Sequence, residues 1–426
     1  MKSLRRIKRW KLPRLQVADA WDQYPNYRLL WASNFCAHGA MWLQLLTVGW
    51  LVQDMTGGSG SNSLHVVTVG GLSVLPVLLV GPWGGVLGDR VDRRKLVMGT
   101  YVLMGIGAAL FSALVFLDIA VLWHAYIYVL YQGSLTWVSF NIRMALIANT
   151  VTTEYIPNAF ATVVITVPGT RLVMPFFGGL LIAHFGFTSN FIIETVLYAI
   201  ALVAMIPMKT NFGNTVTPHT EGSVLKSAWQ DIYEGFQYMW RDERMIFTLI
   251  LLTLIPNVII HPVLFILPVF TSEVLGMGAD VGGYLLAATG LGGVIGALVL
   301  ASLGFGFKKG PLCLFSVLTA SALVMAFAYS QWLVVAIIVI GVFSFSQTVF
   351  RTVSGALIQL LTPDHLRGRI TSLHSSVNGY VVASGILLGY LATIVDVKLA
   401  IFTIGGIGVF CLVCLSIMSP SLRKLS

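Results

Sequence analysis

Charged residues are scarce in this sequence: Asp, Glu, Lys and Arg together make up 10% of the 426 residues, whereas 57% are hydrophobic. An ordinary soluble domain carries about 25% charged residues, so this composition excludes that class of protein. Apolar runs of about 20 residues are long enough to cross a bilayer as helices. The chain is therefore predicted to be an integral membrane protein.

Groups for covalent catalysis or cofactor binding are equally sparse. The four cysteines all fall in apolar runs, where packing is the ordinary role of a thiol. The segment GGSGSNS at 57–63 lacks the Gly-Lys-Ser/Thr ending of a phosphate-binding loop, so ATP hydrolysis is not expected. No pair among His38, His261 and His374, the histidines within predicted spans, has metal-ligand spacing on one helix face. We therefore expect that the protein binds no metal and no cofactor and that it is not an enzyme. This expectation also covers membrane-embedded hydrolases and acyltransferases.

Twelve apolar runs are separated by charged, Pro-rich or Gly/Ser/Asn-rich breaks. They predict an all-α membrane protein with twelve transmembrane helices near 27–53, 63–88, 95–118, 121–150, 158–184, 188–207, 245–272, 280–303, 310–329, 332–361, 367–395 and 398–419. Prolines within these spans predict kinks. They are Pro76, Pro168, Pro175, Pro256, Pro262 and Pro268.

Lysine and arginine fall almost entirely on one side of this topology. If the N-terminus is cytoplasmic, the loops on the opposite side contain Lys398 alone. Positive charge is retained on the cytoplasmic side of membranes, so both termini are predicted to be cytoplasmic. The net charge of +9 then reflects topology and does not require nucleic acid. The basic segment 1–26 either fixes orientation or also lies on anionic headgroups, and no secretory signal peptide is expected.

The twelve spans divide into two halves, 27–207 and 245–419, separated by the loop 208–244; a short tail, 420–426, ends the chain. Apolar residues recur every three or four positions in the second part of this loop, which predicts an amphipathic helix at the cytoplasmic surface. This helix is either a passive interfacial element or a strut that couples the halves. The predicted domains are therefore two bundles, a linker and two terminal segments.

The two halves repeat one another. The triplet ALI at 145–147, at the end of the fourth span, recurs at 356–358, at the end of the tenth. In both halves a polar segment with a proline follows the triplet. Parallel six-helix repeats with a site near midmembrane are one architecture of secondary transporters.

The loop GGVLGDRVDRRK at 84–95 resembles the Gly-x-Leu-x-Asp-Arg-x-Gly-Arg-Arg loop of the major facilitator superfamily, with Asp92 in place of its second glycine. In having Asp92 at this position, the chain resembles the branch of the superfamily that contains the enterobactin exporter and macrolide-efflux proteins. Six further segments also resemble this branch: GAMWLQ (39–44), WLVQDMTGGS (50–59), LPVLLVGPWGG (75–85), PNAFA (157–161), RLVMPFFGG (171–179) and PDHLRGR (363–369).

The resemblance implies two pseudo-symmetric six-helix bundles that rock around a midmembrane cavity. It also implies export of amphiphilic, drug-like or siderophore-like molecules, with proton antiport as the expected coupling. The partners would be a small-molecule substrate, protons and the lipid bilayer, and we expect a monomer in a bacterial inner membrane. An importer or facilitator of a small metabolite, or a nontransporting receptor or scaffold, remains the alternative.

In the superfamily the loop between the second and third spans latches the two halves on the cytoplasmic side, and the matching gating residues here are Gly85, Asp89, Arg90, Arg93 and Arg94. We expect Asp89 to accept from a helix end of the second half, and the arginines to pair with nearby carboxylates. Retention of the loop in the cytoplasm needs cations but does not explain an aspartate. Asp89→Ala is therefore expected to abolish transport without reducing membrane insertion; unchanged transport would exclude the latch.

Ionisable residues within spans are costly and usually face a cavity or a partner. Arg143 and Arg351 lie near matching places in the two halves and are candidates for gating or coupling, or for a structural pair. Arg171 is expected to be structural, in a helix at the interface between the halves. Glu194 and Asp54, both toward the outer side, are the candidates for proton coupling; Glu194 could instead satisfy backbone donors near its helix start.

The first, fourth, seventh and tenth spans line the cavity in the superfamily, and here they carry polar residues at lipid depth. Such residues either contact substrate or hold helices together. The cavity candidates are His38, Gln44, Gln132, Trp137, Asn141, Asn257, His261 and Gln347. Sparse hydrogen-bonding groups among aromatic side chains favour an amphiphilic organic substrate over a sugar.

Overall fold

The computed structural model describes residues 19–57, 63–78, 92–147, 149–209, 234, 236–241, 243–303, 308–363 and 366–424. These ranges contain twelve long helical segments, preceded by a short helix at Asp19–Gln23. The segments are α1 (Pro25–Met55), α2 (Ser63–Leu72), α3 (Arg93–Phe116), α4 (Leu122–Ile147), α5 (Ile156–Phe185), α6 (Phe187–Met205), α7 (Arg244–Leu254, continuing to Glu273), α8 (Ala279–Leu303), α9 (Lys309–Ala328), α10 (Leu333–Leu361), α11 (Arg367–Ser376, continuing to Ile394) and α12 (Val397–Met418).

The helical architecture predicted from the sequence is confirmed. Ten of the described segments are long and apolar enough to cross a membrane. The helix that contains α2 is shorter in its described part, Ser63–Leu78. The 26-residue α4 is long enough to span but carries Gln132, Asn141 and Arg143. The predicted limits agree with most helix ends to within about three residues, which is the usual uncertainty of such boundaries.

The face of the molecule that carries Arg93, Lys209, Arg244, Lys309 and Arg423 is called the basic face below. The odd-numbered helices begin at this face and the even-numbered helices end there. The other side is called the opposite face, and the short connections α1–α2, α3–α4, α5–α6, α7–α8, α9–α10 and α11–α12 lie on it.

Prolines affect α5 and α7 differently. In α7 the helix passes through a π-helical turn at Ile255–Ile259 and a 3₁₀ turn at His261–Leu264, each with a proline at its start. A proline lacks the N–H that the next turn needs and clashes with the preceding turn, so the α-helical ladder is interrupted. In contrast, α5 remains one helix through Pro168 and Pro175. The backbone of α7 is therefore irregular at midmembrane, which transporters tolerate where it faces a cavity or protein.

The internal repeat is visible in the helix limits. The first residues of α4 and α10, Leu122 and Leu333, are 211 residues apart, the same separation as the two ALI triplets. The equivalent of Arg143 in the second half is therefore Ser354, and Arg351 corresponds to Phe140. The two arginines that the sequence suggested as a matching pair do not occupy equivalent positions.

Hydrophobic packing joins the two bundles toward the opposite face and leaves their basic halves with separate cores. One continuous cluster contains residues of both bundles, including Trp50, Val67, Phe270, Leu286 and Leu388. Near the basic face, one cluster belongs to the first bundle and another to the second. The structure is thus closed toward the opposite face, with the bundles separately packed toward the basic face.

Helices α5 and α8, from different bundles, approach each other closely. An added Cβ at Gly290 would lie 2.2 Å from the backbone nitrogen of Leu172, and one at Gly283 would lie 2.4 Å from the carbonyl oxygen of Pro175. Lipid tails are as apolar as leucine, so membrane helices associate through close packing of small residues rather than through the hydrophobic effect. These glycines let the two backbones meet at the bundle interface, where α5 was expected to lie.

Gly290→Ala is expected to destabilise this contact. Overpacking of a well-packed interior costs about 1–3 kcal/mol, so the purified variant should unfold at a lower temperature than wild type. Gly169→Ala, on the same pair of helices but with no atom within 4 Å of the added Cβ, should melt as wild type does. Equal melting temperatures for wild type and Gly290→Ala would contradict the close contact.

Candidate substrate cavity and coupling network

Arg171 lies between the two bundles at midmembrane and is 7% exposed. Its Nη2 donates to the carbonyl oxygen of Thr289, at 3.0 Å, and to Oγ of Ser344, at 2.9 Å. Its guanidinium carbon lies 5.1 Å from the ring centroid of Trp42 on α1, within the range of a cation–π interaction. A first-bundle arginine is therefore bound to α8 and α10 of the second bundle.

Arg351 on α10 is exposed by surface area although protein surrounds its guanidinium. A side chain with both properties faces an internal cavity. Val342, which is exposed toward lipid, lies nine residues earlier, so at 3.6 residues per turn it points to the opposite side of α10. Within the described ranges, the guanidinium of Arg351 has no hydrogen bond or ion pair.

Ser344, Gln347 and Arg351 follow one another along one face of α10 at spacings of three and four residues. Gln347 Nε2 donates to the carbonyl oxygen of Pro256, at 2.8 Å, and lies 3.3 Å from Nδ1 of His261. The carbonyl of Pro256 belongs to the irregular part of α7, where an α-helical partner is missing. Gln347 thus supports the broken helix and also orients His261.

Asn257 and His261, two of the predicted cavity residues, lie four residues apart on α7. Asn257 Nδ2 donates to Oδ1 of Asn378 on α11, at 3.3 Å. His261 is half-buried, and its ring meets that of Phe265 edge to face at 5.7 Å. Arg351 is close enough to His261 to act on it electrostatically. The polar residues predicted on α7 and α10 are therefore brought together.

Glu194 lies in the interior of the first bundle and is fully buried. Its Oε1 accepts from the hydroxyl of Tyr128, at 2.8 Å, and from Nε2 of Gln132, at 3.4 Å. Gln132 also donates to the carbonyl oxygen of Met104 on α3, so the cluster ties α3, α4 and α6 together. Oε2 of Glu194 has no partner among the described residues. Gln132, one of the predicted cavity residues, thus lies beside Glu194 inside the first bundle.

His38 and Arg143 are buried in the first bundle, at 2% exposure each. Nδ1 of His38 lies 3.2 Å from Oγ1 of Thr166 and thereby links α1 to α5. Arg143 lies four residues, about one turn, before the end of α4 at Ile147. Nε2 of His38, Nε and Nη1 of Arg143 and Nε2 of Gln44 lack partners in the described part of the chain.

The other predicted site residues are dispersed. Trp137 and Asn141 are half-buried on α4, and the ring of Trp137 contacts Phe140 edge to face at 5.8 Å. Asp54 is exposed at the end of α1 on the opposite face. These positions leave Trp137 and Asn141 available to a cavity and Asp54 available to solvent.

Part of the predicted gating loop lies outside the described residues, including Gly85, Asp89 and Arg90. Nη1 of Arg93 donates to Oδ1 of Asn149, at 3.2 Å, and Nε of Arg94 donates to the carbonyl oxygen of Met205, at 2.9 Å. The carbonyls at the end of a helix have no partner within the helix, so a basic side chain is well placed there. Arg94 therefore caps α6. The latch stays a prediction.

Two helical bundles pack against each other, polar side chains of α7 and α10 come together beside Arg171 at their interface, and no group of three His, Cys, Asp or Glu residues in the described ranges could hold a metal. The sequence profile of the transmembrane secretion effector family of the major facilitator superfamily matches residues 22–425. The chain belongs to this family. It is a membrane transporter rather than an enzyme, as predicted.

Curated relatives of this secretion effector point to the same branch. The enterobactin exporter EntS of Escherichia coli O1:K1 / APEC is 24% identical over 383 residues, which cover 88% of each chain. EntS of Shigella flexneri is 24% identical over 379 residues, again 88% of each chain. The resemblance to the exporter branch stated from the motifs is thus confirmed.

Solved structures show the same fold at low identity. The peptide transporter POT superposes with a TM-score of 0.76 at 14% identity, covering 96% of this chain and 98% of its own. The nucleoside transporter NupG gives 0.72 at 11% identity, covering 92% and 98%. A D-xylose-proton symporter gives 0.67 at 14% identity, covering 94% and 96%. At these identities the likeness concerns the fold alone.

Proposed function

We propose that this secretion effector exports amphiphilic small organic molecules from the bacterial cytoplasm by alternating access, coupled to proton entry. The observation that carries the proposal is the alignment with the enterobactin exporter over 88% of both chains. The central cavity supports it, because sparse polar groups stand among aromatic side chains. A dense set of hydroxyl and amide partners, which a sugar requires, is not what the cavity residues supply.

Orientation follows from the basic face. Lys and Arg concentrate in the short loops and helix ends at that face, and positive charge is retained in the cytoplasm. In this orientation both termini are cytoplasmic and the described conformation is closed to the outside. It is then the state in which a substrate would enter the cavity from the cytoplasm.

Proton coupling is assigned to Glu194. A buried carboxylate with no cationic partner is costly to ionise at lipid depth. The hydrogen bonds from Tyr128 and Gln132 hold one oxygen, and a proton on the other would keep the group neutral in this conformation. Release of that proton would require a second conformation in which water or a cation reaches Glu194.

The accumulation of fluorescent amphiphiles and labelled siderophore-like anions tests the proposal. The assay uses bacteria that lack their own exporters, with and without this protein, before and after a protonophore. We expect lower accumulation in cells with the protein, and loss of the difference with the protonophore. Equal accumulation across the panel would contradict export.

An importer or a facilitator is the second candidate, since transporters of similar fold include a D-xylose-proton symporter. The same assay separates uptake from export by the sign of the difference in accumulation between cells with and without the protein. Higher accumulation in cells with the protein would favour uptake. A change that survives the protonophore would favour a facilitator.

A further inference from the structure

We propose that the central cavity contains an anion site formed by Arg351, with Arg171 and His261 beside it, and that the exported amphiphile carries a negatively charged group. The inference rests on the proposed export function and specifies its substrate class. It is carried by an exposed arginine on the inward side of α10 that has no hydrogen bond or ion pair among the described residues.

Charge balance around Arg351 is the first step. Within the second bundle, the described acidic residues lie at helix ends near the two faces: Glu243, Glu273, Asp280 and Asp396. The spans of this bundle therefore hold no carboxylate at the level of Arg351 in the described ranges. A guanidinium stays protonated in any protein environment, so its charge at membrane depth favours the binding of an anion.

Arg171 adds to the positive electrostatic potential beside Arg351. Arg351 is close enough to act electrostatically on both Arg171 and His261. Along α10, Ser344 and Arg351 are seven residues apart, or about 10 Å at 1.5 Å per residue. Because helical side chains lean toward the N-terminus, the guanidinium of Arg351 extends back toward Ser344, which binds Arg171. Two cations from different bundles therefore flank one part of the cavity.

Arg171 is held in position by hydrogen bonds, whereas the guanidinium of Arg351 has no hydrogen-bond partner among the described residues. The hydrogen bonds from Arg171 to Thr289 and Ser344 fix its plane, and an added Cβ at Gly293 would lie 2.9 Å from its Nη2. Glycine at 293 therefore makes room for this guanidinium. No described residue occupies the donors of Arg351, and a guanidinium matches the two oxygens of a carboxylate.

We assign the apolar body of such a ligand to aromatic side chains of α1 and α4, two of the helices that are expected to line the cavity. Trp42 stacks beside Arg171 and Trp137 is half-buried on α4. Aromatic faces next to a cationic group accommodate a molecule that has a ring system and a single anionic group. The site therefore fits an aromatic carboxylate or a comparable organic anion.

Two fluorescent probes with the same body test this assignment: dansyl-phenylalanine, which carries a carboxylate, and its neutral carboxamide. Binding is measured by dansyl fluorescence on the purified full chain in nanodiscs, in a buffer of low ionic strength and again with chloride added. We expect the carboxylate to bind at least about tenfold more tightly than the carboxamide, since a hydrogen bond to a charged group contributes about 1.5–3 kcal/mol.

Arg351→Gln should remove this preference by weakening carboxylate binding at least about tenfold while carboxamide binding is retained, which also reports that the variant is folded. Arg351→Lys should keep part of the preference because the charge remains. Arg241→Gln, at an exposed position on the basic face, is the matched control and should bind both probes as wild type does.

Equal binding of the two probes by wild type, or an unchanged preference in Arg351→Gln, would overturn the anion site. Chloride that displaces the carboxylate probe at millimolar concentration would also overturn it, by showing a site for inorganic counter-ions. Transport of both probes without preference would refute the anion site and leave the export proposal standing. Preferential binding of the carboxylate probe without transport of any compound would support the anion site and refute the export proposal.

Discussion

Replacement of Glu194 by glutamine is expected to abolish transport driven by a pH gradient and to leave substrate exchange intact. Glutamine keeps the size of the side chain and the acceptor for Tyr128, which lies 2.8 Å from Oε1 in the wild type. It cannot take up or release a proton. Steps that move only substrate should therefore continue, whereas coupling to protons should fail.

Proteoliposomes separate these two activities. Uptake driven by an imposed pH gradient should fall in Glu194→Gln to the background of liposomes without protein, while exchange of internal for external substrate at equal pH should match wild type. Glu154→Gln, an exposed carboxylate outside the spans, is the control. Retained gradient-driven uptake would remove Glu194 from the mechanism. Loss of coupling in Asp54→Asn instead would assign proton coupling to Asp54, on the opposite face.

A disulfide between positions 71 and 382 is expected to stop transport completely. An ideal Cβ at Gly71 on α2 lies 3.7 Å from Cβ of Val382 on α11, and disulfides require about 3.5–4.5 Å. These helices belong to different bundles and meet where the molecule is closed. Alternating access requires that they separate, so a covalent bond between Gly71→Cys and Val382→Cys should hold the bundles in the described conformation.

The variant is made in a background without the four native cysteines, and transport is compared after oxidation and after reduction. Oxidation should reduce transport to background and a reductant should restore it. Ser321→Cys with Gly408→Cys is the matched control, since an added Cβ at 408 lies 2.8 Å from Ser321 Oγ and both positions belong to the second bundle. Full transport by the oxidised 71–382 protein would show that the two bundles need not separate there.

Helix number and helix limits were predictable from the sequence, because a bilayer sets the length of an apolar run. Which residues face one another was less predictable. Lipid and protein interior are equally apolar, so hydropathy does not show which side of a membrane helix is buried. Gln132 illustrates the consequence: it was predicted as a cavity residue, and its hydrogen bond to Glu194 was not foreseen. Tyr128 and the link from Arg171 to Ser344 were missed for the same reason.

Arg143 and Arg351 show a second limit of the sequence. Both were placed within spans correctly, and the resemblance of the halves suggested a pair. Counting from the shared ALI triplets would have shown that Arg351 corresponds to Phe140 and not to Arg143. Exposure then separates their environments, since Arg143 is buried inside one bundle whereas Arg351 is exposed to the cavity.

Uptake of a labelled organic anion into inside-out membrane vesicles tests the central claim most directly. Export from a cell corresponds to uptake in such vesicles, and acidification of their interior supplies the proton gradient. The account predicts uptake that requires this protein and ends when the gradient is dissipated. Uptake that appears only in right-side-out vesicles, or that is unaffected by the gradient, would contradict proton-coupled export.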